Sequence, residues 1–341
     1  SFRTSTAGRK GWPMAKSSRM TLPRLKELIR RQDPPQWGSL YEPAIRATRE
    51  EAPSRSRFAQ TWFDRLERYI HTLSSIESTV VLLAMFNRSL FEIQEQRILT
   101  TEPRPHPLAG HPYAVALDLP PLRGTIDVCD RLDLIERHLW AEIDPKNGLG
   151  TVRVPVPFIG DLLLFLKDHD GPYCVNWTIK DVAEGFDRRL PGSKPSSNPQ
   201  AEIAAVRSRH AIEELYYNDA GIPTKRIVES DLCIPFFENL RSLLLIQHRA
   251  AQVEAGIYTE ICERLQASIQ TGQRPLDIIL SVSHRYGLPL SLCQACFARA
   301  LWQSDVRAEL MDGAIFIDRP LKPQRRDPLQ VYASWFTRQS T

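Results

Sequence analysis

Two apolar stretches, Val152–Leu166 and Tyr173–Ile179, flank the polar turn Asp168-His169-Asp170-Gly171. Aliphatic and β-branched residues on both sides of a short Asp/Gly turn read as a β-hairpin. Elements that can cover a sheet surround it. A helix is expected from about Thr72, capped by Ser74 or Ser75, with Ile76, Val80, Leu83 and Ala84 at helical spacing. Phe91–Leu99 alternates as a strand, Ala201–Asp219 reads as a long helix stopped by Gly221, and Lys225–Val228 as a short strand. The order helix, strand, hairpin, helix, strand is that of an α/β unit.

The flanks differ in character. Residues 1–20 are basic and rich in Ser, Thr and Gly. Leu22–Arg31 suits a short basic helix ended by Asp33-Pro34-Pro35, and prolines keep 34–60 extended or looped. Pro103, Pro105, Pro107 and Pro112 impose a loop over 101–112, and a short helix is expected near Leu132–Trp140. From about residue 232 the pattern turns helical, with candidates at Leu240–Gln247, Ala255–Ser268, Leu276–Arg285 and Leu290–Gln303. The last two flank Tyr286-Gly287-Leu288-Pro289, a helix-turn-helix pattern. Arg307–Leu310 and Ala314–Ile317 around Met311-Asp312-Gly313 then read as the hairpin of a winged helix. The expected divisions are a basic, partly mobile arm (1–60), an α/β domain (61–231), a helical winged-helix-like domain (232–320) and a tail (321–341). The tail's Tyr332–Phe336 is expected to serve as an exposed docking segment; the alternative is that Trp335 and Phe336 fold back onto their own domain.

Composition excludes several classes. Of 341 residues, 42% are apolar and 25% charged, which suits a globular chain rather than a disordered one. No apolar run approaches the ~18 residues of a membrane span, and no secretory signal pattern opens the sequence. The six cysteines are scattered and suit a reducing cytoplasm; Cys293 and Cys296, spaced like metal ligands, fall in an apolar helical pattern and are expected in the core. Net charge is +4, but residues 1–60 hold 13 basic against 5 acidic residues, and the remainder 31 against 35. A basic arm on a near-neutral body suggests contact with a polyanion; a solvated tail is the alternative.

Asp161 interrupts the first apolar stretch and Lys180 ends the second. If the turn pairs Lys167 with Pro172, Asp161 falls opposite Thr178, and Lys180 projects from the same sheet face two residues further on. A carboxylate and an ammonium then converge at one end of the sheet. Phosphodiester hydrolysis needs carboxylates to hold a divalent metal and a cation near the developing charge. Glu77, on the first helix, is the candidate second carboxylate. The alternatives are a cross-strand ion pair for Asp161 and Lys180, a solvated helix residue for Glu77, and a local hydrogen-bonding role for His71.

The runs Thr72-Leu73-Ser74-Ser75-Ile76-Glu77, Phe91-Glu92-Ile93-Gln94-Glu95-Gln96, Gly160-Asp161-Leu162-Leu163 and Thr178-Ile179-Lys180 resemble TnsA, the endonuclease subunit of heteromeric cut-and-paste transposons. The resemblance covers about residues 70–247. It implies a restriction-endonuclease-like fold and Mg²⁺-dependent cutting of the 5′ strand at transposon ends in a bacterial cytoplasm, with Mn²⁺ able to replace Mg²⁺. It further implies a TnsB-like transposase and a TnsC-like AAA+ ATPase as partners. Carried over, the catalytic residues are Glu77, Asp161 and Lys180, with Glu77, Asp161 and the Ile179 carbonyl around the metal. Thr178 departs from the family, which often has Gln or Glu two residues before the lysine. The other reading is a non-catalytic winged-helix DNA-binding or scaffold protein on a degenerate nuclease core.

Overall fold

The hairpin forms in the expected register: Lys167 pairs with Pro172 and Leu162 with Trp177. The computed structural model describes residues 20–143, 150–187 and 198–338. In chain order, the first half contains α1 (Leu22–Gln32), β1 (Ala59–Phe63), β2 (Arg68–Thr72), α2 (Ser75–Phe86), β3 (Leu90–Glu95), β4 (Ile98–Leu99), α3 (Thr125–Arg131), β5 (Trp140–Ile143), β6 (Val152–Pro155), β7 (Phe158–Ile159), β8 (Leu162–Asp168) and β9 (Gly171–Lys180). There follow α4 (Pro199–Asn218), β10 (Thr224–Val228), α5 (Ile234–Gln247), α6 (Ala255–Thr271), α7 (Pro275–Tyr286), α8 (Leu290–Trp302), α9 (Pro328–Val331) and α10 (Ala333–Phe336).

The central sheet has the order β10-β9-β8-β3, with β9 and β10 parallel and the other pairs antiparallel. Alternation along β8 divides its side chains between two apolar clusters. Leu162, Leu164 and Leu166 join the cluster containing Val80 and Leu83 of α2. Leu163 and Phe165 join Ile212 and Tyr216 of α4. The chain is thus a mixed α/β structure followed by a largely helical C-terminal region. One contiguous apolar cluster runs from α2 through α5 to α8, where Phe86 meets Phe236 and Trp302 edge-on at 5.8 and 5.9 Å. Among the described residues no helix is long and apolar enough to cross a membrane. Cys293 and Cys296 are fully buried, as expected.

Several expectations are corrected. The strand expected over Phe91–Leu99 is divided by Gln96, whose φ is +49°, into β3 and β4. Pro155, Pro157 and Gly160 divide Val152–Leu166 into three strands, and the helix expected near Leu132–Trp140 lies earlier, at Thr125–Arg131. The β1–β2 hairpin was not foreseen. The hairpin expected at 307–317 does not form, so the winged helix is not built. Buried Asn239 of α5 intercepts its backbone, donating to the Leu310 and Gly313 carbonyls at 2.9 and 2.8 Å and accepting from Ile315 N at 3.0 Å. In α8, Phe297, Ala298, Ala300, Leu301 and Trp302 are buried, and Arg299 lies over the Tyr258 ring.

Both ends of the described chain fold onto the body. Residues 1–19 of the arm lie outside the described residues, but Gln32 of α1 is buried and its Nε2 donates to the Gln96 carbonyl at 3.1 Å. The tail expected to dock a partner instead packs on β9: Trp177 Nε1 donates to the Trp335 carbonyl at 2.8 Å, Phe336 lies 5.3 Å from the Trp177 ring, and Arg338 pairs with Asp168. Trp177 is fully buried, so its indole N–H needs an internal acceptor, and the tail supplies it.

Candidate active site

Glu77 is placed by the start of α2. Ser74 is the N-cap; its Oγ accepts from Glu77 N at 3.2 Å and donates to Glu77 Oε1 at 3.0 Å, while Leu73 N donates to Oε2 at 2.9 Å. This is a capping arrangement that folds the carboxylate back over the helix start. Glu77 is buried, and burial first, then the nearby Asp161 charge, pushes its carboxyl up to about 7.

Asp161 lies one residue before β8 rather than within it. Its carboxylate caps the neighbouring strand: Oδ2 accepts from Ile179 N at 2.7 Å. Lys180 Nζ lies 3.7 Å from the same oxygen and donates to the Ile179 carbonyl at 2.9 Å. Among the described residues Asp161 Oδ1 accepts no hydrogen bond, whereas one lone pair of the Ile179 carbonyl is already taken. A Cβ added to Gly185 would lie 3.2 Å from Lys180 Cβ, so this glycine lets the chain pack against the lysine stem. Thr178 is buried in mid-strand. Asp161 and Lys180 thus meet as the cross-strand pair of the plainer reading, and Gln96 links Glu77 to Asp161 through its side chain and its backbone N–H. His71 acts locally, its Nδ1 accepting from Ala47 N at 3.0 Å.

Three further residues belong to this neighbourhood and were not singled out from sequence. Gln96 Nε2 donates to Glu77 Oε2 at 3.2 Å, and Gln96 N donates to the Asp161 carbonyl at 3.0 Å. Glu213 of α4 is buried, accepts from Asn176 Nδ2 at 2.9 Å, and is raised by burial, with Asp161 adding to the effect. His210, one turn earlier, is lowered to about 4 by burial and then by Lys180, and its Nδ1 has no partner among the described residues. Glu213 did leave a trace in the sequence, an acid between Ile212 and Tyr216 on the apolar face of a helix.

A cleft of about 420 Å³ opens beside the start of α2, lined among others by Arg55, Arg57, Ser74, Ser75, Asp181 and Glu229. A second cavity, about 540 Å³, lies between α1 and β4; neither cavity is lined by Glu77, Asp161 or Lys180. Among the described residues, the one group of three His, Cys, Asp or Glu side chains with ligand atoms within 4.8 Å of one another is Asp168, His169 and Asp170 on the hairpin turn. Asp168 there is taken by Arg338. The chemistry near Glu77 thus rests on a pair of acids rather than a preformed three-ligand cage. No family model matches this sequence, and neither does any curated protein.

Proposed function

We propose that this chain is a divalent-metal-dependent DNA endonuclease of the TnsA type that cuts the 5′ strand at transposon ends. In this reading the α/β part is a restriction-endonuclease-like domain. The observation that carries the proposal is a chain of contacts at one end of the sheet. Gln96 bonds the carboxylate of Glu77 and the backbone carbonyl of Asp161, and Lys180, the lysine that ends β9, lies 3.7 Å from the Asp161 carboxylate.

The donor set suits Mg²⁺ or Mn²⁺. Burial and then the Asp161 charge raise the Glu77 carboxyl, with Lys180 only partly opposing them, and Asp161 Oδ1 is turned to no other donor among the described residues. Glu77 and Asp161 would hold the ion, which when bound polarises the scissile phosphate and acidifies a water. The chain's own residues do the rest. Ile179 N fixes the Asp161 carboxylate, and Gly185 leaves room for the Lys180 stem. The Lys180 ammonium then orients the attacking water or offsets charge developing on the phosphate. The Ile179 carbonyl can serve the ion only with its remaining lone pair or after Lys180 moves away.

Arg55 and Arg57 at the cleft beside α2 suit contacts to the DNA backbone. The partners in this reading are transposon-end DNA, a TnsB-like transposase and a TnsC-like ATPase. Its compartment is the bacterial cytoplasm, with which six free cysteines accord. The test is incubation of end-containing DNA with this chain and its cognate transposase, with Mg²⁺ or with chelator. The reading expects a 5′-strand nick in Mg²⁺ alone; a nick that survives chelation overturns it.

A further inference from the structure

Gln96 stands where the chain turns from β3 into β4, and it touches both acids by different means. Its side chain donates to Glu77 Oε2 at 3.2 Å, and its backbone N–H donates to the Asp161 carbonyl at 3.0 Å. Its own carbonyl accepts from Gln32 Nε2 and from Ala44 N, both at 3.1 Å. The residue is 4% exposed and has φ +49°. Left-handed backbone is the province of glycine and asparagine, and a longer side chain is strained there. The turn alone would therefore be served better by glycine. The side chain that glutamine keeps, at the expense of backbone strain, is spent on Glu77.

The conformation is imposed from the N-terminal segment. Gln32 of α1 also accepts from Ile98 N through Oε1 at 2.8 Å, and Tyr41 Oη donates to the Glu95 carbonyl at 2.8 Å. The backbone of the turn is thus gripped at residues 95, 96 and 98 by residues more than fifty positions earlier. Over-determination of this kind is what allows a strained residue to persist at a functional site.

We propose that Gln96 is a positioning residue that fixes Glu77 relative to Asp161 and thereby sets the affinity of the cation site. The inference rests on the endonuclease reading above. Partners that orient a metal-binding carboxylate commonly change metal affinity ~10-fold or more when removed.

The test measures Mn²⁺ binding by titration calorimetry on the full chain, with a thermal melt of each protein. Four proteins are compared: wild type, Asp161→Asn, Gln96→Gly and Gln96→Met. Gln96→Gly removes the side chain, relieves the left-handed strain and keeps the backbone bond to Asp161. Gln96→Met keeps the bulk without the donor. The expected result is Asp161-dependent Mn²⁺ binding in the wild type, weakened ~10-fold in both Gln96 variants, with the melt of Gln96→Gly at or above that of wild type. Wild-type affinity in Gln96→Gly, whatever Gln96→Met does, overturns the positioning role and leaves the endonuclease reading standing. Absence of any Asp161-dependent Mn²⁺ binding in the wild type overturns both.

Discussion

The Lys180 ammonium stands 3.7 Å from Asp161 Oδ2, and the amide of Ile179 donates to that same oxygen at 2.7 Å. One dipeptide at the end of β9 thus grips the carboxylate at the mouth of β8 with both a backbone amide and a side-chain cation. The two contacts differ in what they do for the fold. The amide bond satisfies a strand end, whereas the ammonium and carboxylate are 29% and 18% exposed, and such pairs contribute roughly 0–1 kcal/mol. Lys180→Met should therefore melt within about 1 kcal/mol of wild type while losing 5′-strand cleavage. A variant that cuts normally would assign Lys180 to the ion pair alone.

Glu77 ties stability to pH. Its folded value of about 7 lies above the ordinary 4.5 because of burial and then Asp161. A carboxyl raised in this way contributes stability that is fully present below its unfolded value and is lost as pH rises through 7. The loss is on the order of 3 kcal/mol if the whole shift is expressed. Glu77→Gln cannot ionise, so in metal-free buffer its melting temperature should gain on wild type between pH 5 and pH 8. Glu92, also pushed up to about 7 by burial, is common to both proteins and drops out of the difference. Melting curves at the two pH values decide it; a difference independent of pH contradicts the account.

Divalent cation should reverse the same penalty. At pH 8 the ionised Glu77 is ready for a cation, whereas at pH 6 it must first lose a proton. Saturating Mg²⁺ should thus raise the melting temperature of wild type more at pH 8 than at pH 6, and leave Asp161→Asn unmoved at both. Equal stabilisation of the two proteins would place the ion elsewhere, the exposed Asp168-His169-Asp170 turn being the obvious place.

Gly185 offers a test of the lysine's setting without altering any charge. A Cβ there would lie 3.2, 3.4 and 3.5 Å from Lys180 Cβ, Cγ and Cδ, so Gly185→Val must displace the lysine stem. Cleavage should fall ~10-fold or more, as expected for a misplaced catalytic group, while Mn²⁺ affinity stays near wild type. Loss of metal binding in step with activity would mean that the substitution disturbs the acids instead.

The C-terminal segment is structural in this arrangement. Phe336 is 7% exposed and packs with Trp335 against Trp177. Phe336→Ala should destabilise by about 3–5 kcal/mol, the range for a buried phenylalanine, and can be read from a urea melt. A change under about 1 kcal/mol would return the tail to the docking role first expected of it.

What was legible in the sequence was local. The turn Asp168–Gly171 fixed the hairpin register because turn chemistry and strand alternation act over a few residues. Ser74, ahead of Ile76, Val80, Leu83 and Ala84 at helical spacing, announced a helix start. What could not be read depends on partners far along the chain. Asn239 intercepts the backbone of residues 310–315 and prevents the wing, and nothing near either segment signals the encounter. Gln96 reads as an ordinary strand residue until Gln32 and Tyr41 hold its turn in place. Glu213 is acceptable on a buried helix face only because Asn176 of β9 meets it there.

The central claim is that Glu77, Asp161 and Lys180 cut one DNA strand. The most direct measurement is strand-resolved cleavage of transposon-end DNA by Asp161→Ala in the presence of the cognate transposase and Mg²⁺. The 3′-strand cuts made by the transposase report that the complex has assembled. The account predicts that 5′-strand cuts vanish while 3′-strand cuts persist. Undiminished 5′-strand cutting by Asp161→Ala would contradict it.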